Sequence, residues 1–391
     1  MKELGWDYAD IILVSGDAFI DHPSFGTAVI ARVLENQGYN VAIIPQPNWR
    51  DDLRDFKKLG APRLFFGVSA GNLDSMLNHY TAAKRKRSDD AYTPGGKSGQ
   101  RPDYATNIYT KILKEIYPDV PVVIGGIEAS MRRFAHYDFW QDKIINSILE
   151  TSGADLLVYG MAEKAISEIA AKLNDTGLIA DCHNIKQTAY LSSFDNKKES
   201  DVKLFSYDDV CRDKLKYAQN FVKVEQETNY QSERRITQII GKSKLIVNPS
   251  FPVLSEAEID EIYDLPYNRM PHPRYDGKEP IPAWEMIKNS VNIHRGCFGA
   301  CSFCTIAAHQ GKMISSRTEK SILAELKKVA ASPGFHGHIS DLGGPSANMY
   351  KMQGFDLAIC AQCKRPSCIF PSVCNNLNTS HQPLSELYKN A

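Results

Sequence analysis

The chain has 391 residues, of which 43% are hydrophobic and 24% charged, and its 46 basic and 46 acidic side chains cancel to a formal net charge of zero. That length exceeds one ordinary core and suits two or three domains, while the neutral balance gives no general pull towards nucleic acid or an anionic membrane. The opening MKELGWDYAD has no basic segment followed by an apolar run, and no later stretch approaches the roughly 18 to 20 apolar residues of a membrane span, so a cytoplasmic enzyme without membrane contact is expected.

The first 175 residues alternate strand-like apolar runs with amphipathic helical ones, the pattern of a parallel sheet covered by helices. Asp10 to Ser15 reads as a strand, Thr27 to Gln37 as a helix closed by Gly38, and Asn40 to Ile44 as the next strand, which completes one βαβ unit. Arg63 to Val68, Val120 to Ile124 and Asp155 to Tyr159 add buried strands, and Met161 to Leu173 a further helix. The expected fold class is α/β: an N-terminal doubly wound parallel sheet over residues 1–175, able to fold alone, with ligands expected at its strand C-terminal ends. Between the third and fourth strands the basic run Lys84 to Arg87 reads as a solvated loop rather than a nucleic-acid contact. Residues 176–289 read as a polar connecting region, with a helix over Leu204 to Val224, a short strand at Leu245 to Asn248 and an extended, proline-rich segment from Asp264 to Pro282. A third region, 290–391, opens with a strand from Ser290 to His294.

Seven of the nine cysteines fall between positions 297 and 374, and clustered cysteines in a chain of this kind point to metal before disulfides. Cys297, Cys301 and Cys304 have the spacing C-x3-C-x2-C on a loop just past a strand. Three soft thiolates suit an iron–sulfur cluster, and Gly296, Gly299 and Ala300 let the backbone wrap it closely. Three ligands leave one iron of a 4Fe–4S cluster open, whereas an electron-transfer ferredoxin closes that position with a fourth cysteine.

The run from Cys297 to Cys304, with Phe303 as the aromatic residue before the last cysteine, resembles the radical S-adenosylmethionine (SAM) signature. HRGCFGACSFCTIAAHQGK, together with LPYNRMPHPRY, IPAWEMIKNSV, VIGGIEASMRRFAHYDFW and ADLLVYGMAEKAI, resembles the YgiQ family of uncharacterised radical SAM proteins over nearly the whole chain. The resemblance implies that the open iron chelates SAM and that reductive cleavage gives a 5'-deoxyadenosyl radical. It further implies an unknown substrate and an external electron donor such as flavodoxin or ferredoxin. It places Gly343 and Gly344, after a strand from His336 to Leu342, where backbone groups of the superfamily meet the SAM amino nitrogen. Pro345 stands in place of the expected Glu, and a plain turn is the alternative.

Glu319 to Ala331 reads as a helix. Cys360, Cys363, Cys368 and Cys374 form a second group, C-x2-C-x4-C-x5-C, fitted to a second metal, either zinc or an auxiliary iron–sulfur cluster, with unligated surface thiols as the bland alternative. His294 and His309 flank the triad and read as supporting residues. In the front domain, which reads as cobalamin-binding-domain-like, Asp21, His22 and Gly26 depart from the D-x-H-x-x-G spacing, so cobalamin ligation through His22 is not expected. A radical SAM core of about six βα units does not fit into 290–391, so this region reads as the start of a partial barrel, apparently truncated. The competing reading is a metal-stabilised ligand-binding protein without SAM chemistry.

Overall fold

A computed structural model describes residues 4–192, 198–229, 233–345 and 347–391. The chain divides into two compact units, the first made of Met1–Phe221, Arg234–Pro249 and Tyr267–Trp284, the second of Val222–Glu233, Ser250–Pro266 and Glu285–Ala391.

Unit 1 is built on β1 (Ile11–Ser15), β2 (Val41–Pro45), β3 (Phe65–Ser69), β4 (Val122–Ile124), a separate hairpin of β5 (His136–Asp138) and β6 (Lys143–Ile145), then β7 (Leu156–Val158), β8 (Thr188–Ser192), β9 (Val202–Lys203), β10 (Ile236–Ile240) and β11 (Ser243–Val247). Nine of these form one sheet in the order β2-β1-β3-β4-β7-β8-β11-β10-β9. The first five run parallel in the doubly wound order 2-1-3-4-5, counting strands of the parallel portion. β1 is buried at every position, as a strand covered on both faces must be. The covering helices show why they form: Gly26–Asn36 buries Ala28, Val29, Ala31 and Leu34, and Glu163–Thr176 buries Ala165, Ile166, Ile169, Ala170 and Leu173, each an apolar stripe at helical spacing.

The sheet does not stop at residue 175. β8 pairs antiparallel with β7, β11 with β8, and β10 with β11, so much of the stretch read as a connector is sheet. Where one helix was expected over Leu204 to Val224 there are two, Tyr207–Arg212 and Lys214–Asn229. Asp213 separates them in extended conformation, and its carboxylate accepts the Leu215 amide at 2.9 Å, a local bond that competes with helix continuation. Lys84 to Arg87 lie exposed, as a solvated loop should.

Unit 2 carries β12 (Ser290–Asn292), β13 (His294–Arg295), β14 (Ser315–Ser316) and β15 (Asp341–Gly343). β12 and β15 pair in parallel, with helix Glu319–Ala330 between them in sequence, giving a βαβ unit. Its core gathers Val291, Ile293, Ile322, Leu326, Val329, Tyr350, Leu384 and Leu387. Arg317, fully buried, donates to the Asn292 carbonyl at 2.9 Å and to Ser321 Oγ at 2.7 Å and pairs with Glu325, tying strand to helix. β15 is shorter than the strand expected from His336, and Gly337, with a φ of +76°, turns the chain inside that span. Among the described residues, no helix is long and apolar enough to cross a membrane.

Candidate metal centre

The loop bearing Cys297, Cys301 and Cys304 leaves β13 at Gly296, whose φ is +90°. A Cβ at Gly296 would collide with the Met313 carbonyl, so this turn requires glycine on two counts. The loop is pinned by the Gly296 amide to Gln310 Oε1 (3.0 Å), the Cys297 amide to the Gly311 carbonyl (3.0 Å) and the Cys304 amide to the Cys301 carbonyl (2.9 Å). At Gly299 the point a Cβ would occupy lies 3.4 Å from Cys297 Sγ and 3.6 Å from Cys301 Sγ. Two triad sulfurs therefore flank one space that any larger side chain would fill. Cys297 is buried, Cys304 half-buried and Cys301 exposed, while the Phe303 ring is 89% exposed. The donor set and the glycine cradle fit an iron–sulfur cluster: soft thiolates on a loop with room at its centre.

Gly343 and Gly344 end β15 beside the strand that leads to the triad. Asn292 pairs with Gly343, and the Ile293 amide donates to the Gly343 carbonyl at 3.0 Å. A Cβ at Gly344 would run into the His294 ring. His294 is buried, which pushes its pKa below the ordinary histidine value, and its Nε2 accepts the Met349 amide at 3.0 Å. It is thus a neutral imidazole spent on backbone. His309 lies on the short helix Ile306–Gln310.

The second cysteine group folds against the triad loop, which the sequence does not reveal. The Cys368 amide donates to the Phe298 carbonyl at 3.0 Å, and Ser367 Oγ donates to the Gly299 carbonyl at 2.9 Å. Cys360 and Cys363 share one tight turn (amide of 363 to carbonyl of 360, 3.1 Å), and the Cys374 amide returns to the Cys368 carbonyl at 2.8 Å. Burial pushes the Cys360 and Cys368 thiols up, and the neighbouring cysteines push the same way; Lys312 opposes them at both, and Asn376 at Cys360. Lys312 is a further residue of the centre that spacing alone does not disclose. It is buried, with Nζ donating to the carbonyls of Arg365 (2.7 Å) and Cys363 (3.4 Å). Asn376 Nδ2 donates to Cys360 Sγ at 3.3 Å. Among the described residues, no three His, Cys, Asp or Glu side chains close on one point as a site for a single metal ion.

In unit 1 the crevice at the C-terminal ends of β1 and β3, where a doubly wound sheet binds ligands, is occupied by side chains. Arg101 is fully buried there, paired with Asp17 at 2.6 Å and Asp90 at 3.0 Å, and it donates to the Ala70 carbonyl at 2.9 Å. Burial pushes the Asp17 carboxyl up and Arg101 opposes it. His22 Nδ1 accepts the Ser24 amide at 3.1 Å, and Asp21 pairs with Arg32.

Unit 1 thus supplies a largely parallel α/β sheet, and unit 2 a three-cysteine loop after β13. A model of the family described as "Radical SAM N-terminal" matches residues 1–290, and the chain belongs to that family. Its relatives are UPF0313 proteins, which are the YgiQ family: one from Porphyromonas gingivalis is 58% identical over 100% of this chain and 62% of its own length. Another, from Bacteroides thetaiotaomicron, is 58% identical over 98% of this chain and 64% of its own length. The chain therefore spans less than two thirds of these relatives. Among solved structures, the radical SAM methyltransferase TsrM from Kitasatospora setae, with tryptophan substrate and a SAM analogue bound, has a TM-score of 0.44 at 19% identity over 82% of this chain and 45% of its own.

Proposed function

We propose that Cys297, Cys301 and Cys304 hold a 4Fe–4S cluster that binds SAM at its open iron, and that the protein is a radical SAM enzyme of unknown substrate. When bound, such a cluster supplies the electron that splits SAM to methionine and a 5'-deoxyadenosyl radical, drawn from an external flavodoxin- or ferredoxin-class donor. The observation that carries the reading is the pair of triad sulfurs beside Gly299, on a loop that Gly296 lets pass close to the Met313 carbonyl.

The chain's own residues have distinct tasks in this reading. The three thiolates bind the irons and leave the fourth coordination site free. Gly343 and Gly344 stand at the end of β15, the neighbour of the strand that feeds the triad loop, and are candidates to receive the SAM amino group. His294 keeps that strand end in place through the Met349 amide.

The test is anaerobic reconstitution of the chain, followed by electron paramagnetic resonance of the reduced protein with and without SAM. The expected result is a cluster signal that changes on SAM addition and is lost in Cys301→Ala. A Cys301→Ala chain with an unchanged, SAM-responsive signal would refute the assignment.

A further inference from the structure

The second cysteine group has the makings of a site in its own right. A cleft of about 330 Å³ in unit 2 is lined by Cys360, Cys368 and Cys374 together with Lys312, Phe298 and Leu377. Cys363 joins them through its turn with Cys360 and through the Lys312 bond to its carbonyl. Cys360, Cys368 and Cys374 line one cleft, and Cys363 sits one turn from Cys360. Four soft thiolates on so short a stretch suit the ligand set of an iron–sulfur cluster.

The surroundings suit a cluster as well. Two thiols come from the turn at 360–363 and two from the backbone-bonded pair 368 and 374, so little loop entropy is lost on gathering them. Four thiolates build up negative charge, and the buried Lys312 ammonium offsets part of it. Asn376 supplies an N–H to the Cys360 sulfur at 3.3 Å, the kind of contact that tunes cluster potential. The apolar side chains of Phe298, Met352 and Leu377 pack beside Cys368 and Cys374.

We propose that Cys360, Cys363, Cys368 and Cys374 ligate a second iron–sulfur cluster, separate from the triad. Because all four positions are cysteine, no iron is left open, and the centre exchanges single electrons without binding SAM. The site stands on its own residues, whereas the contrast with a SAM-binding cluster rests on the triad reading above.

The experiment is elemental and sulfide analysis of the full chain reconstituted anaerobically with iron and sulfide in the presence of equimolar zinc. A chain with two 4Fe–4S clusters holds about eight irons. Cys363→Ala/Cys374→Ala is expected to lose about half of the iron and sulfide and keep a SAM-responsive signal. Cys301→Ala/Cys304→Ala is expected to lose the other half and keep a signal that SAM does not change. Far-ultraviolet circular dichroism checks that each variant is folded. If either variant fails that check, the wild-type protein decides: about eight irons support the second cluster, and about four irons with a wholly SAM-responsive signal overturn it. Zinc at one per chain that disappears in Cys363→Ala/Cys374→Ala also overturns it, as does a Cys301→Ala/Cys304→Ala chain with no iron. A failure of the triad reading looks different: the SAM response is absent while the Cys363→Ala/Cys374→Ala loss remains.

Discussion

Single residues of the triad loop divide into those whose chemistry sets the site and those whose shape allows it. The spacing of Cys297, Cys301 and Cys304 is legible in the sequence because ligands close along the chain must meet in space. Gly296 is different, since its need for glycine comes from the Met313 carbonyl on a neighbouring segment and from a φ of +90°. Gly296→Ala is therefore expected to destabilise the protein by about 1–3 kcal/mol and to reduce iron uptake, read by urea denaturation and iron content. Ala300 is the informative control: it holds φ at +48° with a side chain present, so Ala300→Gly is expected to leave stability within about 1 kcal/mol of wild type and iron content unchanged.

At the scale of elements, one carboxylate in unit 1 serves the starts of two helices, the first of which Asp74 also caps. Glu128, fully buried, accepts the Ser75 amide at 2.9 Å and Ser75 Oγ at 2.5 Å through one oxygen, and the Thr106 amide at 3.0 Å through the other. Ser75 opens helix Ser75–His79 and Thr106 lies in the first turn of Ala105–Ile116, so a negative charge here satisfies orphan amides at two helix N-termini. Glu128→Gln turns an acceptor into a donor facing donors. An expected loss of about 2–3 kcal/mol, seen as a lower urea midpoint with an unchanged slope, would register it; an unchanged midpoint would show that the two helix starts do not depend on the charge. The tie between the two helix starts leaves no mark in the sequence, because 22 residues separate Thr106 from Glu128 and 53 separate Glu128 from Ser75.

For the whole molecule, the extension of the sheet beyond β7 decides what can fold alone. Ending unit 1 at residue 175 would strip β8 from β7, remove the Gln187 side chain that donates to the Tyr159 carbonyl at 2.7 Å, and take away the Asn248 carbonyl that accepts the Tyr159 hydroxyl at 2.6 Å. An unpaired edge of Leu156, Leu157 and Val158 invites association. Residues 1–284 are therefore expected to give a monomer with one cooperative thermal transition, and residues 1–175 a less stable, self-associating product, compared by size-exclusion chromatography and calorimetry. A monomeric 1–175 with the same transition temperature would show that the antiparallel strands add nothing to the stability of the parallel portion.

The sequence by itself determined the parallel core of unit 1, the strand before the triad and the triad. Continuous apolar runs have no other place than a sheet buried on both faces, and C-x3-C-x2-C on a glycine-bearing loop has few uses besides a cluster. Tertiary structure alone decided the rest. β8 and β10 are mixed in polarity, and they become strands by pairing, Tyr190 with Ile246 and Thr237 with Ile246, a non-local choice that local propensity does not encode. The same holds for the metal centre. Lys312, Asn376 and the Ser367 bond to Gly299 surround the cysteines only because the chain returns there, and hydrogen bonds between distant segments leave no periodic mark in the residues that make them.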